Sequence, residues 1–305
     1  MGFLASLTLA LAVGLGAAAA GFAENGLLVA IMLTATSLGL VVPVLADFGR
    51  AESDLGQVII AGASIADFGA IIPLSLLFSS EAGGPAGTAI LLGGVVVLAV
   101  AAGLVLGGLT RYTGISGVLF RLQDTTAQIR VRGAVLLMLT FAVLAERLEL
   151  EVILGAFVAG GILRLVDRDM VERHPQTRVK LDSLGYGFLV PVFFVASGLR
   201  FDLETLTADP SALARVPIFL IALPAVRGIP ALLYRRLLDR REVVAAALLQ
   251  ATSLPFIVAA AEIGLALDVL QGSTAAATIA AGLLSVVLFP LVAVTLLRRR
   301  DPTAA

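Results

Sequence analysis

Asp67 lies at the centre of the long apolar run 55–78, with Ser64 one helical turn before it. A carboxyl group at bilayer depth is costly to place there, so it is read first as functional. Such a group can hold a proton or a metal cation, one at a time, and competition for one site is enough to couple two fluxes. Arg227 is the second charge at depth, inside the run 214–234 and between Pro224 and Pro230. A guanidinium keeps its charge in a protein, so it needs a partner or a helix end. Its expected task is electrostatic: to balance a core carboxylate or the ends of broken helices. Glu262, about two turns after Pro255, is a further candidate nearer a membrane surface. Two pairs of hydroxyls, Thr36 with Ser37 and Thr252 with Ser253, complete the polar set, and hard monovalent cations prefer oxygen ligands of this kind.

Other chemistries lack their residues. The chain has no Cys, which removes disulfides and thiolate metal sites, and its single His, His174, sits in a polar loop and is read as solvated. No Gly-x-x-x-x-Gly-Lys loop and no His-Glu-x-x-His motif occurs. The expectation is a protein that is not an enzyme, with no cofactor and no transition metal. The net charge of −1 suggests no nucleic-acid partner.

These groups must be positioned by helices in lipid. Of the 305 residues, 59% are hydrophobic and 14% charged, against about 25% charged in a soluble domain. Mean hydropathy is +1.04. Apolar runs long enough to cross about 30 Å of hydrocarbon predict roughly ten spans: 3–22, 26–46, 55–78, 88–110, 131–147, 150–166, 183–199, 214–234, 243–266 and 273–297. The expected fold is therefore all-α, one polytopic membrane domain over 1–305 with no separate soluble domain. Between spans 5 and 6, Glu146, Arg147, Glu149 and Glu151 crowd a short turn, read as solvated. Arg and Lys concentrate in alternate loops: Arg50, then Arg111, Arg121 and Arg130, then Arg168 to Lys180, then Arg235 to Arg241, then Arg298 to Arg300. The positive-inside rule then places both termini in the cytoplasm of a cell-membrane protein.

Spans 2 and 9 match each other. Ala35-Thr36-Ser37-Leu38 is followed by Gly39 and Pro43, and Ala251-Thr252-Ser253-Leu254 by Pro255. The two run in opposite directions across the membrane, each with a Thr-Ser pair beside helix-breaking residues. That is the pattern of an inverted repeat with discontinuous helices, spans 1–3 pairing with spans 8–10. Broken backbone at depth is tolerated where it lines a cavity or is satisfied again by neighbours, so paired breaks predict a mid-membrane binding site. In span 6, Gly155-Ala156 and Gly160-Gly161 form a small-residue face for close packing.

The order of these motifs resembles the monovalent cation:proton antiporter family. Thr34-Ala35-Thr36-Ser37-Leu38 with Val42-Pro43-Val44-Leu45 is similar to its first broken helix, and Ser64-Ile65-Ala66-Asp67 with Ile71-Ile72 to the helix that carries its ion-binding aspartate. Leu154 to Gly160 and Pro191 to Leu199 resemble two further family signatures, Gln250 to Phe256 resembles the second broken helix, and Arg227 falls where the family has a core basic residue. The resemblance implies exchange of Na⁺ or K⁺ for H⁺ at Asp67, a homodimer, and a core that moves like an elevator against a dimerisation domain. Two departures carry expectations of their own. Many members have an acid or amide directly before the aspartate, where this chain has Ala66; the resemblance then implies one proton per cation, an electroneutral exchange. The chain also begins at a later helix of the usual core, without roughly the first two or three helices of the inverted-repeat set. The alternatives are a truncated paralogue with a regulatory or assembly role, and an organic-anion symporter in which Arg227 binds the anion.

Overall fold

The computed structural model describes residues 2–78, 128–148, 152–166 and 175–298, together with Gly87 and Gly93. These residues are helical almost throughout. In chain order the helices are α1 (Gly2–Ala19), α2 (Gly26–Thr34), α3 (Leu38–Asp47), α4 (Asp54–Phe78), α5 (Ile129–Arg147), α6 (Val152–Val166), α7 (Pro175–Leu184), α8 (Val190–Arg200), α9 (Leu203–Ala208), α10 (Pro210–Leu223), α11 (Arg240–Ala251), α12 (Pro255–Ala266) and α13 (Gly272–Arg298). A π-helical turn, Gly185–Leu189, joins α7 to α8; a second, Pro224–Gly228, runs on from α10 into a 3₁₀ segment, Ile229–Arg236. Helices are the expected solution, because lipid offers backbone groups no partners and a helix satisfies them internally.

Seven stretches among the described residues are long and apolar enough to cross a membrane: Gly2–Ala19, Gly26–Asp47, Asp54–Phe78, Val179–Arg200, Pro210–Arg236, Arg240–Ala266 and Gly272–Arg298. The chain is a multi-pass membrane protein. Their bounds follow the sequence expectation closely. The ends carry charges such as Asp54, Arg200, Arg240 and Arg298, which are costly inside hydrocarbon. α5 and α6 coincide with expected spans 5 and 6, but α5 carries Arg130, Arg132, Glu146 and Arg147, and α6 has only 15 residues. Span 88–110, apart from Gly93, lies outside the described residues, as do Glu149, Glu151 and His174.

The chain divides into two compact units, residues 1–74 with 194–305, and residues 75–193. The second contains α5 to α7. There Gly155 of α6 meets α5 so closely that a Cβ on it would stand 2.1 Å from the Phe141 carbonyl oxygen, whereas Gly160 and Gly161 face open space. Only one part of the small-residue face is therefore used in this packing.

The first unit holds the two triplets. α1, broken α2/α3 and α4 form one; α10 with its π and 3₁₀ continuation, broken α11/α12 and α13 form the other. Both read as continuous helix, broken helix, continuous helix. The breaks have local causes. Ala35 and Thr252 end α2 and α11 in extended backbone, and Pro255, which has no N–H, opens α12. Asn25 caps α2 by accepting from the Leu28 amide, and Asp239 caps α11 in a reciprocal box with Glu242. Side chains tie each triplet to the other in matching places. Glu24, before α2, accepts from Gln271 N and Thr274 Oγ1 at the start of α13. Glu242, in the first turn of α11, faces Arg50, before α4, at 3.5 Å.

α1 and α2 touch backbone to backbone. A Cβ on Gly14 would stand 2.3 Å from the Gly26 carbonyl oxygen, and one on Gly26 would stand 2.7 Å from that of Gly14. No side chain can yield there, so the helices themselves would have to part. Gly14→Ala is expected to destabilise the protein by about 3 kcal/mol, read as an earlier thermal transition in detergent. Gly16→Ala, which meets nothing within 4 Å, is the matched control and should melt like the parent.

Candidate functional site

The two breaks meet directly. The backbone N–H of Ser37 donates to the carbonyl of Thr252 at 2.8 Å, and the Thr36 hydroxyl donates to the carbonyl of Gln250 at 2.7 Å. Thr36, Ser37, Thr252 and Ser253 are all buried. Each break thus supplies groups that the other has freed. This is how unwound backbone survives in an apolar medium.

Arg227 sits against this crossing and is 2% exposed. It lies in the π-helical turn Pro224–Gly228, between two prolines that remove backbone donors from the helix. Such wide turns re-aim a side chain and recur at functional sites. Its Nε and Nη2 donate to Thr36 Oγ1 at 3.1 and 2.8 Å, and its Nη1 donates to Ser6 Oγ of α1 at 3.2 Å. The hydroxyl of Thr36 therefore accepts twice and donates once, which uses its whole capacity. Asp67 is the charged group whose field acts on the guanidinium.

Asp67 is half-buried at the middle of α4. Its carboxyl group lies within electrostatic reach of the Arg227 guanidinium and of the Thr36 backbone N–H. Arg227 and the first break are thus bonded through the Thr36 hydroxyl, and Asp67 stands close enough to feel the guanidinium charge. Gly69, two residues on, leaves the space that the Phe3 ring fills, so α1 lies beside the aspartate.

The other expected residues take different places. Ser64 donates to the Ile60 carbonyl of its own helix at 2.8 Å. The hydroxyls of Ser37 and Ser253 are buried, and no hydrogen-bond partner reaches them among the described residues. They hold equivalent positions in the two breaks. Glu262 is exposed, pairs with Arg200 at 3.6 Å and sits two turns along α12 from the crossing. An apolar pocket lined by Val29, Met32, Leu33, Phe219 and Ile257 has one hydroxyl, Thr278, which donates within its own helix and so offers a cation little.

Three site residues, Ser6, Tyr234 and Ser285, come from the structure alone, and Gln250, expected only as the start of the second broken helix, gains a bonding role there. Ser6 holds Arg227. Gln250 gives its carbonyl to Thr36 and its amide to the Tyr234 hydroxyl at 3.3 Å. Tyr234 accepts from that amide, and Ser285 of α13 bonds the second break. The polarity of Ser6 and Ser285 inside apolar spans was the available signal; which way each hydroxyl points was not.

Among the described residues no group of three or more His, Asp or Glu could hold a metal ion, so the site offers one carboxylate, one guanidinium, hydroxyls and freed backbone. A family model for the transmembrane sodium/hydrogen exchanger matches residues 1–299. The putative Na⁺/H⁺ antiporter YjbQ of Bacillus subtilis is 33% identical over 301 residues, 98% of this chain and 47% of that protein. The high-affinity Na⁺/H⁺ antiporter NhaS3 of Synechocystis is 32% identical over 180 residues, 57% of this chain and 36% of that protein. The probable Na⁺/H⁺ antiporter 3 of Methanocaldococcus jannaschii is 25% identical over 271 residues, 88% of this chain and 67% of that protein. The chain spans about half the length of the Bacillus relative and about a third of the Synechocystis one.

Proposed function

The chain belongs to the sodium/hydrogen exchanger family, and on that premise we propose that it exchanges a monovalent cation, Na⁺ or K⁺, for H⁺ through Asp67. The observation that carries this reading is a buried guanidinium bonded to Thr36 at the crossing of two broken helices, with the half-buried Asp67 carboxylate within its electrostatic reach. Asp67 holds a proton in one half of the cycle and a cation in the other. Ser37 and Ser253, with hydroxyls not committed elsewhere, supply neutral oxygens, and Ser64 lies one turn along α4 from Asp67. Thr36 contributes mainly by holding Arg227 in place. Arg227 keeps the core from collapsing onto an unneutralised negative charge while the site is empty, and gives way electrostatically to an arriving cation.

One carboxylate implies one proton. Ala66 stands where many relatives resembling this chain have a second acid or amide, and Asp67 is the carboxylate that acts on Arg227. The exchange is therefore electroneutral. A homodimer, an elevator-type movement of the core, a single transporter domain and cytoplasmic termini complete the proposal. They rest on the family likeness and on the placement of Arg and Lys between spans.

The test is proton movement in proteoliposomes holding the purified chain and a pH-sensitive dye. Na⁺ or K⁺ added outside should release protons from an acid-loaded lumen, and collapsing the membrane potential with valinomycin in symmetric K⁺ should leave the Na⁺-driven rate unchanged. A signal that ignores added cation rejects the exchange; a rate that follows the membrane potential rejects electroneutrality.

A further inference from the structure

Asp67 and Ser285 occupy the same place in the two triplets. Each is the fourteenth residue of its continuous helix, counted from Asp54 in α4 and from Gly272 in α13. Each faces the broken helix that precedes it: Asp67 lies within electrostatic reach of Thr36 N–H, and Ser285 Oγ accepts a hydrogen bond from Ser253 N–H at 3.2 Å. The register agrees within the uncertainty of helix ends. Where the first triplet has a charge, the second has a hydroxyl.

The hydroxyl is well placed. α11 ends at Ala251 and Pro255 opens α12, so the Ser253 amide has no helical partner of its own. Ser285 supplies one. Its own proton is shared between the Ser253 carbonyl at 3.1 Å and the Gly282 carbonyl at 2.7 Å. Gly282, one turn earlier on the same face, makes the approach possible, since a Cβ there would stand 3.0 Å from the Ser253 carbonyl oxygen. Both Ser253 and Ser285 are at most 1% exposed, so water does not substitute cheaply for the missing bond.

We infer that Ser285 is a positioning residue, the second triplet's counterpart of Asp67: its hydroxyl holds the Ser253 backbone and thereby the crossing that carries the cation. The inference rests on the proposed exchange for its transport arm only. Without the bond, the Ser253 amide and carbonyl turn in search of partners, and the Thr252 carbonyl that receives Ser37 N–H turns with them.

The experiment compares Ser285→Ala, Ser285→Cys and Ser285→Thr in the full chain. Hydrogen exchange is followed in the peptide over Thr252 to Leu254, and cation-driven proton movement in proteoliposomes. In Ser285→Ala the Ser253 amide should exchange about tenfold faster and the apparent cation KM should rise about tenfold, as an unpaired buried group costs about one decade or more, with the maximal rate much less affected. Ser285→Thr, which keeps the hydroxyl, should restore both. Ser285→Cys keeps the volume with a weak donor, so it should fall between the two and decides the matter if the alanine variant does not fold. Wild-type exchange in both the alanine and cysteine variants overturns the inference, as does faster exchange with an unchanged cation KM. If the parent chain moves no protons in response to cation, the proposed exchange fails, while the exchange rates still decide whether Ser285 holds the break.

Discussion

Arg227→Ala is expected to lose both the crossing and the transport. The guanidinium fills buried volume and spans Thr36 on the first break and Ser6 on α1. Its removal leaves two buried hydroxyls short of donors, deprives Asp67 of its countercharge and opens a cavity. Unpaired buried groups cost about 1–3 kcal/mol each, so with the cavity added the loss should be on the order of 3–5 kcal/mol. In detergent the variant should melt well below the parent, and reconstituted protein should show no cation-driven proton movement. Arg227→Lys keeps the charge but replaces a planar fork by a point donor. It cannot bond Thr36 through two nitrogens, so it should lose about 1 kcal/mol and retain measurable exchange. If Arg227→Ala melts like the parent, the three hydrogen bonds do not hold the crossing.

Asp67→Asn has the second large effect, with the opposite division between stability and transport. The amide keeps the shape of the side chain. It can neither take up a proton nor carry a negative charge, and it leaves Arg227 as the net charge of the core, which repels an arriving cation. Cation-driven proton movement should fall to the protein-free background, while thermal stability stays near the parent's. The dissociation of the two readouts matters, since a variant that merely unfolds loses both. Asp67→Glu, with its carboxylate moved by one methylene, should keep exchange at a reduced rate.

Much of this arrangement was legible in the sequence because lipid imposes simple rules. Span bounds lie near charges such as Asp54, Arg240 and Arg298; the two breaks fall at the Thr-Ser pairs, the second beside Pro255 as expected, whereas Gly39 and Pro43, expected to break the first helix, lie inside α3. Asp67 and Arg227 stood out because each is an expensive charge in an apolar run. What stayed hidden depends on how helices cross. Nothing in Thr36 and Ser37 as neighbours says that the first hydroxyl is spent on Arg227 and Gln250 while the second is left unbonded. The side chain's direction is set by the extended backbone at Ala35 and by α11 passing beside it. Ser6 and Ser285 were ordinary hydroxyls in apolar helices until the π-helical turn aimed Arg227 at one and Gly282 brought the other against Ser253. Glu262 shared the cost argument with Asp67, but its place toward the end of α12 lets it pair with Arg200 at an exposed site.

The central claim is that one carboxylate serves both ions in turn. Its most direct test is the apparent cation KM of the wild-type chain, measured in proteoliposomes across a range of pH. If proton and cation compete for Asp67, acid conditions fill the site with protons and the KM must rise about tenfold for each unit of pH on the acid limb, levelling off where the carboxylate is already ionised. A KM that stays flat across that range, with only the maximal rate changing, would mean that the two ions bind at different places and would contradict the account.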